Sequence, residues 1–168
     1  RCPRSPPLPN PPLLRSLRTS RVAAFTLQKD PLLTLAPGNQ PFHTLDPASA
    51  RLKDGRVMVY GSMGGDGQPQ TQATLFTRSV LQNLPLQQTI TAPRWLLGRT
   101  WGDSSESLKL ESRFSHDTVD ALKKMGHDVE LLSDFSEATG HAGAIVRHVN
   151  GMLEGASDPR SNGSAAGF

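Results

Sequence analysis

The sequence predicts an α/β layered domain whose strands are mainly antiparallel. Asp54-Gly55 precedes the apolar run at 57–60, and Asn150-Gly151 lies between apolar runs at 144–146 and 152–153. Such pairs favour the positive-φ turns of β-hairpins. Helical patterns lie between the two hairpins, at about residues 69–84 and 115–126. Strands and helices that alternate in this way, without an internal repeat, are typical of a layered α/β fold.

The first hairpin leads into a strand, a glycine-rich loop and a helix. Val57–Tyr60 is apolar at every position, which predicts a strand covered on both faces. Gly61–Gly67 follows as a tight connection, and Pro69 suits the first turn of the next helix. Residues spaced three and four apart predict the buried stripe of this helix: Ala73, Phe76, Val80 and Leu84.

The second half of the chain predicts one more helix and two strand regions. Ser115 is a good N-cap and Gly126 a good C-terminal stop. Val119, Leu122 and Met125 are expected to share the buried face of this helix. A strand is expected at 129–132, and a final hairpin is expected around Asn150-Gly151, which the apolar runs at 144–146 and 152–153 flank.

The bulk composition describes one loop-rich domain and excludes several classes of function. The chain has 168 residues, 36% of them hydrophobic, with no apolar run of membrane-spanning length. Its one cysteine, Cys2, permits neither an internal disulfide nor a thiolate metal site. Residues 1–23 carry five arginines and no acidic residue, so the remainder has 13 basic and 15 acidic side chains. Such a body lacks the basic face of a nucleic-acid-binding protein.

Residues 1–24 are predicted to be a disordered head, distinct from a body at 25–168. Six prolines in the first twelve positions disfavour helices and central strands. The head is either a proline-rich ligand or linker, or the product of a shifted reading frame. We favour the second interpretation because patterned sequence begins abruptly near Phe25. The start at Arg1 indicates a fragment and assigns no compartment, so cytoplasm and periplasm both stay open.

The loop Gly61–Gly67 is the segment best suited to chemistry. It joins a strand to a helix N-terminus, where backbone amides are unpaired and the potential is positive. Such amides can hold an anion or a developing oxyanion, although the loop lacks the Gly-Lys-Ser/Thr ending of a P-loop. The plain alternative is a structural turn that needs positive φ. Elsewhere, Arg160 is interpreted as a cap on a buried carboxylate.

The sequence predicts neither a metal site nor a cofactor. His141 and His148 are seven residues apart in a strand-like stretch, so they are expected to face opposite sides. His43, His116 and His127 have no partners at the spacing of metal ligands.

Three motifs together resemble the small subunit of the gamma-glutamyltransferase family, over residues 25–168. They are Leu35-Ala36-Pro37-Gly38 with Pro41-Phe42-His43-Thr44-Leu45, the loop from Gly61 to Gln70, and Gly155-Ala156-Ser157-Asp158-Pro159-Arg160-Ser161. The resemblance implies part of an αββα N-terminal-nucleophile hydrolase sandwich, without its opening strands. The resemblance also implies a precursor that cleaves itself and so exposes an N-terminal threonine. That threonine is expected to attack an amide and form an acyl-enzyme.

The resemblance also implies site residues and partners. The oxyanion-hole glycines of the family map onto Gly64 and Gly65. The substrate-binding pair maps onto His43 and Thr44, where other members carry two serines. The partners implied are the large subunit of the same precursor and a small gamma-glutamyl or related amide. No nucleic acid or membrane partner is expected.

One departure from the family pattern concerns the nucleophile, and another concerns the substrate. The nucleophile should lie before residue 25, and none of Thr19, Thr26 or Thr34 has the expected context. We therefore expect the chain alone to be inactive. His43-Thr44 and the stretch from Trp95 to Leu108 resemble the branch that contains oxamate amidohydrolase and cephalosporin-acylase-like members. A non-catalytic orphan fragment, or a structural or binding module that depends on a partner, is the alternative.

Overall fold

The computed structural model describes residues 25, 27, 34–40, 45–98 and 105–167. The chain forms two compact units, residues 1–43 and residues 44–168. In the first, the Asn39 amide donates to the Ala36 carbonyl at 3.1 Å, and Gly38 has a φ of 86°. These contacts make a tight turn. The boundary predicted at residues 24 and 25 lies outside the described ranges and stays a prediction.

The second unit is built on a four-stranded antiparallel sheet. Its strands run in the order β1, β2, β6, β7, so the two hairpins lie side by side. The strands are β1 (Ala48–Arg51), β2 (Val57–Met63), β6 (His141–Arg147) and β7 (Leu153–Ser157). The predicted antiparallel α/β arrangement is confirmed here.

Both predicted hairpin turns form at the expected positions. Gly55 has a φ of 89° and Gly151 a φ of 86°, which glycine adopts without steric cost. The Leu52 amide donates to the Arg56 carbonyl at 2.9 Å and closes the first turn. In the second turn, the Met152 amide donates to the Asn150 side chain at 3.1 Å. Local turn chemistry therefore sets the register of both hairpins.

Two helices cover one face of this sheet. They are α1 (Gln68–Phe76), which continues into a π-helical turn (Thr77–Leu81), and α2 (Leu86–Thr91). Pro69 lies in the first turn of α1, as predicted. The apolar core between the helices and the sheet consists of Met58, Leu75, Leu86, Ile90, Ala142, Ala144, Val146 and Ala156.

The buried stripe predicted for α1 is wrong. Ala73 is exposed, and Phe76, Val80 and Leu84 are only half-buried. The buried side chains are Gln68, Thr71, Gln72, Leu75 and Ser79. This face is polar because it satisfies backbone groups: Thr71 donates to the Thr139 carbonyl at 3.0 Å, and Gln72 donates to the Asp46 carbonyl. A hydrophobic pattern cannot reveal a helix that is buried through hydrogen bonds.

A second, three-stranded sheet carries the remaining helix. Its order is β3 (Trp95–Leu97), β4 (Leu108–Glu111) and β5 (Val129–Leu132), with β4 and β5 parallel. Helix α3 (His116–Lys124) makes the crossover between the parallel strands, and the Ser115 hydroxyl accepts from the Thr118 amide at 3.3 Å.

The buried face predicted for α3 is only partly correct. Val119 is buried, Leu122 is half-buried, and Met125 is 68% exposed. Met125 is exposed because it is the C-cap residue, where the chain turns at Gly126 with a φ of 93°. None of the helices in the described ranges has the length and hydrophobicity needed to cross a membrane.

The face of the four-stranded sheet opposite the helices is apolar and open. Val59 is paired with Ile145 on this face, and the two side chains are 47% and 49% exposed. Leu153 on the edge strand is 66% exposed. The prediction that Val57–Tyr60 is covered on both sides is therefore not met within the described ranges, which supply a helical layer on one side only.

Candidate functional site

The glycine-rich loop connects β2 to α1 through a short 3-10 turn at Gly65–Gly67. Gly64 has a φ of 151° and Gly65 a φ of 53°, and both values favour glycine. The Gly67 amide donates to the Gly64 carbonyl at 3.0 Å, and the Gln68 amide donates to the Gly65 carbonyl. These bonds fix the two peptide units just before the N-terminus of α1, where the helix dipole favours negative charge.

The two glycines have different surroundings. Gly65 is half-buried, and a Cβ added there would meet no atom within 4 Å. Gly64 is buried, and a Cβ added there would lie 3.2 Å from the Gly140 Cα. The loop is therefore packed on the side of Gly64 and open beside Gly65.

Gly140 is the close neighbour that seats this loop. Its φ is 84°, and an added Cβ would collide with the Met63 carbonyl oxygen and lie 2.6 Å from the Ser62 hydroxyl. Only glycine allows the backbone to approach β2 this closely. Gly140 ends a 3-10 turn, Glu137–Thr139, and leads directly into β6.

Arg94 holds the backbone of this 3-10 turn through hydrogen bonds from its buried guanidinium group. Its Nη1 donates to the Gly140 carbonyl at 2.9 Å and to the Thr139 carbonyl at 3.3 Å. Its Nη2 donates to the Ile90 carbonyl at 3.0 Å, and the side chain is 1% exposed. The glycine loop therefore rests on a backbone segment that a buried guanidinium fixes in place.

Arg160 joins two buried carboxylates beside Arg94. Its Nε and Nη2 each lie 2.6 Å from an oxygen of Glu111, and its Nη1 lies 3.0 Å from an oxygen of Asp158. Asp158 also pairs with Arg94 and accepts from the Ala142 amide at 2.7 Å. The four charged side chains are at most 5% exposed. The interpretation of Arg160 as the partner of a buried carboxylate is confirmed, and it binds two.

The network keeps its carboxylates ionised. Burial alone raises the pKa of Glu111, but hydrogen bonds from Arg160 and Arg113 more than offset it and lower that pKa. Burial likewise acts to raise the pKa of Asp158, yet the charge of Arg94 and backbone amides bring it below its ordinary value. Burial acts to lower the pKa of Arg160, but its hydrogen bonds and charge interactions with Glu111 and Asp158 together outweigh burial and raise that pKa.

The structure places the other predicted site residues apart from this network or does not describe them. His43 and Thr44 lie outside the described residues, so their substrate-binding role stays a prediction. His141 begins β6, and His148 follows that strand and lies 2.9 Å from Glu154. Within the described ranges, no group of three His, Cys, Asp or Glu side chains could hold a metal ion.

Sequence reasoning missed Gly140 and Glu111 as members of the site. Leu108-Lys109-Leu110-Glu111 alternates apolar and charged residues, and all four are buried. Glu111 is buried because it pairs with Arg113 and Arg160, and Lys109 is buried where it donates to the Gly98 carbonyl at 3.1 Å. The Glu111 contacts form only after distant segments pack. At Gly140 the one signal was a glycine directly before a strand, and many turns share it.

Comparison with known proteins gives one family. The family model described as Gamma-glutamyltranspeptidase matches residues 16–168. The chain is 72% identical over 149 residues to the oxamate amidohydrolase proenzyme of Klebsiella pneumoniae, covering 89% of this chain and 28% of that protein. It is 41% identical over 152 residues to the glutathione hydrolase-like YwrD proenzyme of Bacillus subtilis, covering 90% of this chain and 29% of that protein. The chain therefore spans less than a third of the length of these relatives.

Solved structures agree with the sequence relatives. Cephalosporin acylase from Bacillus halodurans superposes with a TM-score of 0.70 at 25% identity, over 88% of this chain and 27% of that chain. The transpeptidase CapD from Bacillus anthracis superposes with a TM-score of 0.66 at 22% identity, over 79% of this chain and 75% of that chain. The second likeness concerns the fold alone.

Proposed function

Because this chain belongs to the gamma-glutamyltranspeptidase family, we propose that it supplies the oxyanion-binding loop of an amide hydrolase or acyl transferase. The observation that carries the proposal is the pair Gly64 and Gly65. They stand at the N-terminus of α1, one packed against Gly140 and the other beside open space. Backbone amide donors that are already positioned at a helix N-terminus stabilise the negative charge that develops on the oxygen of an attacked amide.

In this proposal the nucleophile comes from another segment of the precursor. A threonine hydroxyl attacks the amide carbon, the carbonyl oxygen becomes an oxyanion at Gly64 and Gly65, and the amine leaves after it takes a proton. Water or an amine then attacks the acyl-enzyme and restores the hydroxyl. The names of both curated relatives as proenzymes support a precursor of this kind.

We propose a small amide that carries a carboxylate as the substrate class, with oxamate as the first candidate. The 72% identity to an oxamate amidohydrolase supports this choice over glutathione. The second candidate function is a partner-dependent structural fragment without turnover of its own. The open apolar face with Val59, Ile145 and Leu153 supports that reading, since such a face calls for a covering partner. Both readings hold together if the partner is the large subunit of the same precursor.

A chimeric proenzyme tests the proposed function. Residues 25–168 replace the matching region of the Klebsiella pneumoniae relative, and oxamate hydrolysis is followed by ammonia release. Gly65→Ala places a methyl group in the open space and strains a φ of 53°. We expect the turnover number to fall roughly tenfold or more, because the methyl group displaces the oxyanion from its donors.

Gly126→Ala is the control matched for backbone strain. Its φ is 93°, an added Cβ meets no atom within 4 Å, and it lies at the end of α3. We expect this variant to keep the turnover of the chimera, and the isolated 168-residue chain to hydrolyse neither oxamate nor a gamma-glutamyl anilide. Equal turnover by the two glycine variants would refute the oxyanion role. Turnover by the isolated chain would refute the external nucleophile.

A further inference from the structure

The buried charges beside the second sheet do not balance among the described residues. Arg160 lies within electrostatic range of Arg78 and Arg94, and Arg113 within that of Arg78, but two carboxylates among the described residues accompany these four guanidinium groups. The arginines are Arg78, Arg94, Arg113 and Arg160, and the carboxylates are Glu111 and Asp158. Excess positive charge in a poorly hydrated region is unfavourable unless an anion joins it.

The imbalance falls on Arg78, because Arg113 lies 2.9 Å from a Glu111 oxygen. Arg94 and Arg160 both contact carboxylates directly, whereas no carboxylate of the described residues lies within ion-pair distance of Arg78. The Arg78 Nη2 donates to the Pro93 carbonyl at 2.7 Å, but its Nη1 is buried and has no hydrogen-bond partner among the described residues. Burial, and then the charge of Arg160, lower the pKa of Arg78.

Arg113 approaches the same stretch of backbone from the other side. Its Nη2 donates to the Thr91 carbonyl at 2.7 Å and to Glu111 at 2.9 Å, and its Nε is buried without a partner. The guanidinium stacks on the Phe135 ring, 3.7 Å from its centroid. Thr91 and Pro93 are two residues apart, so the two guanidinium groups flank one short segment.

A cavity of about 280 Å³ opens beside Arg78. Thr77, Gln82 and Trp95 line it together with Arg78, so a hydroxyl and an amide can both donate to an anion there. The π-helical turn at Thr77–Leu81 forms one of its walls, and such turns are frequent at functional sites. One water takes about 30 Å³, so a small anion fits.

We propose that Arg78, with Thr77 and Gln82 beside it, forms a binding site for a small oxyanion that carries carboxylate or phosphate oxygens, while Arg113 contributes positive charge from outside the cavity. Guanidinium groups recognise such oxygens through paired hydrogen bonds. The anion supplies the missing negative charge and lies against the segment from Thr91 to Arg94. The site is separate from the glycine loop, because none of the residues that line the cavity belongs to Gly61–Gly67.

Titration of the full 168-residue chain with oxalate and with inorganic phosphate tests this site. Both titrations use constant ionic strength, with sodium chloride as the reference anion, and are followed by calorimetry and by thermal unfolding. We expect at least one of the two anions to bind and to raise the unfolding temperature above the chloride reference. In Arg78→Gln the affinity for that anion should fall at least tenfold, and Arg113→Gln should weaken it as well.

Arg51→Gln is the matched control, since it removes the same charge from an exposed position on β1. It should bind the anion as the unaltered chain does. Binding of oxalate alone assigns a carboxylate ligand, and binding of phosphate alone assigns a phosphate ligand. The proposal is overturned if neither anion binds, or if Arg78→Gln binds as tightly as Arg51→Gln. None of these results depends on catalysis, so they are independent of the proposed function.

Discussion

At the scale of single residues, Arg160 and Glu111 show how this protein uses buried charge. Two parallel hydrogen bonds of 2.6 Å join the guanidinium to the carboxylate, and both side chains are nearly inaccessible to solvent. Breaking such a pair by removing one partner costs about 3–5 kcal/mol, because the other charge stays buried alone. The folded state is therefore stable only when the buried charges of this network are paired.

The pKa values of Glu111 and Asp158 predict acid sensitivity. Both are below the ordinary values of 4.5 and 3.8 in the folded protein. Their ionised forms therefore stabilise the fold at any pH above those ordinary values, and this stability is lost as the pH falls through the lower, folded pKa values. We expect the urea midpoint of unfolding to change little between pH 7 and pH 5 on account of these groups, and to fall steeply below about pH 4.

Two substitutions separate this effect from general acid unfolding. Glu111→Gln should lower the midpoint at pH 7 and flatten its fall in acid. Asp120→Asn removes an exposed carboxylate on α3 and should keep the full acid dependence. If both variants follow the same acid profile as the unaltered chain, the network is not the source of the sensitivity.

At the scale of elements, the 3-10 turn before β6 couples the network to the glycine loop. Arg94 fixes the Gly140 carbonyl from one side, and Gly140 touches the Met63 peptide from the other. Thr71 in α1 reaches the same turn through the Thr139 carbonyl. The geometry of the glycine loop therefore depends on a turn far away in sequence, near residue 140.

Gly140→Ala is expected to destabilise the protein by more than the backbone strain of an alanine at positive φ. A non-glycine residue at positive φ costs about 1–2 kcal/mol, and here the added methyl group must also push β2 away. We expect a loss of unfolding free energy of about 3 kcal/mol or more, measured by urea denaturation. Gly126→Ala has a similar φ in open space and should lose only the strain energy. Equal losses would show that the contact with β2 does not matter.

The sequence predicted best the elements whose conformation depends on residues close together in the chain. Gly55, Ser115 and Gly151 specify their turns and cap through their own conformations and hydrogen bonds. Helix α2 and strands β3 and β4 escaped prediction because packing against distant segments stabilises them. The stripe of α1 was misassigned since Thr71 and Gln72 are buried by hydrogen bonds that no hydrophobic period reports.

In the candidate site, too, the residues with a local sequence signal were predicted and those held by distant contacts were not. The glycines at 64 and 65 stood out in the sequence because a glycine-rich run follows an apolar strand, and their role in catalysis stays a proposal. Their support from Gly140 and Arg94 could not be predicted, because it joins segments more than 40 residues apart. The predicted pair His43 and Thr44 lies outside the described residues.

At the scale of the whole molecule, the open face of the four-stranded sheet is the feature that most needs a partner. Val59 and Ile145 lie opposite each other in the middle of the sheet and are about half exposed. A charged side chain in the middle of this face stays in contact with water in the isolated chain. A partner that covers the face would bury that charge. Assembly and folding can therefore be separated by substitution on this face.

Val59→Lys tests this in the chimeric proenzyme. We expect the unfolding free energy of the isolated chain to change by less than about 1 kcal/mol, as for other surface substitutions. Association with the large subunit should be lost, as measured by copurification after processing. Leu131→Lys on β5 starts from a similar exposure of 53% and should copurify normally. Normal copurification of Val59→Lys would exclude this face as the contact surface.

The order of residues in the arginine network has a consequence for biosynthesis. Arg94 and Glu111 are translated long before Asp158 and Arg160, which complete their pairing. Until the ribosome has released those two late residues, Arg94 lacks its Asp158 partner and Glu111 lacks its Arg160 partner, although Arg113 is already available to Glu111. We expect a chain truncated just before Asp158 to lose few residues and yet to lack the ion pairs that Asp158 and Arg160 make with Arg94 and Glu111.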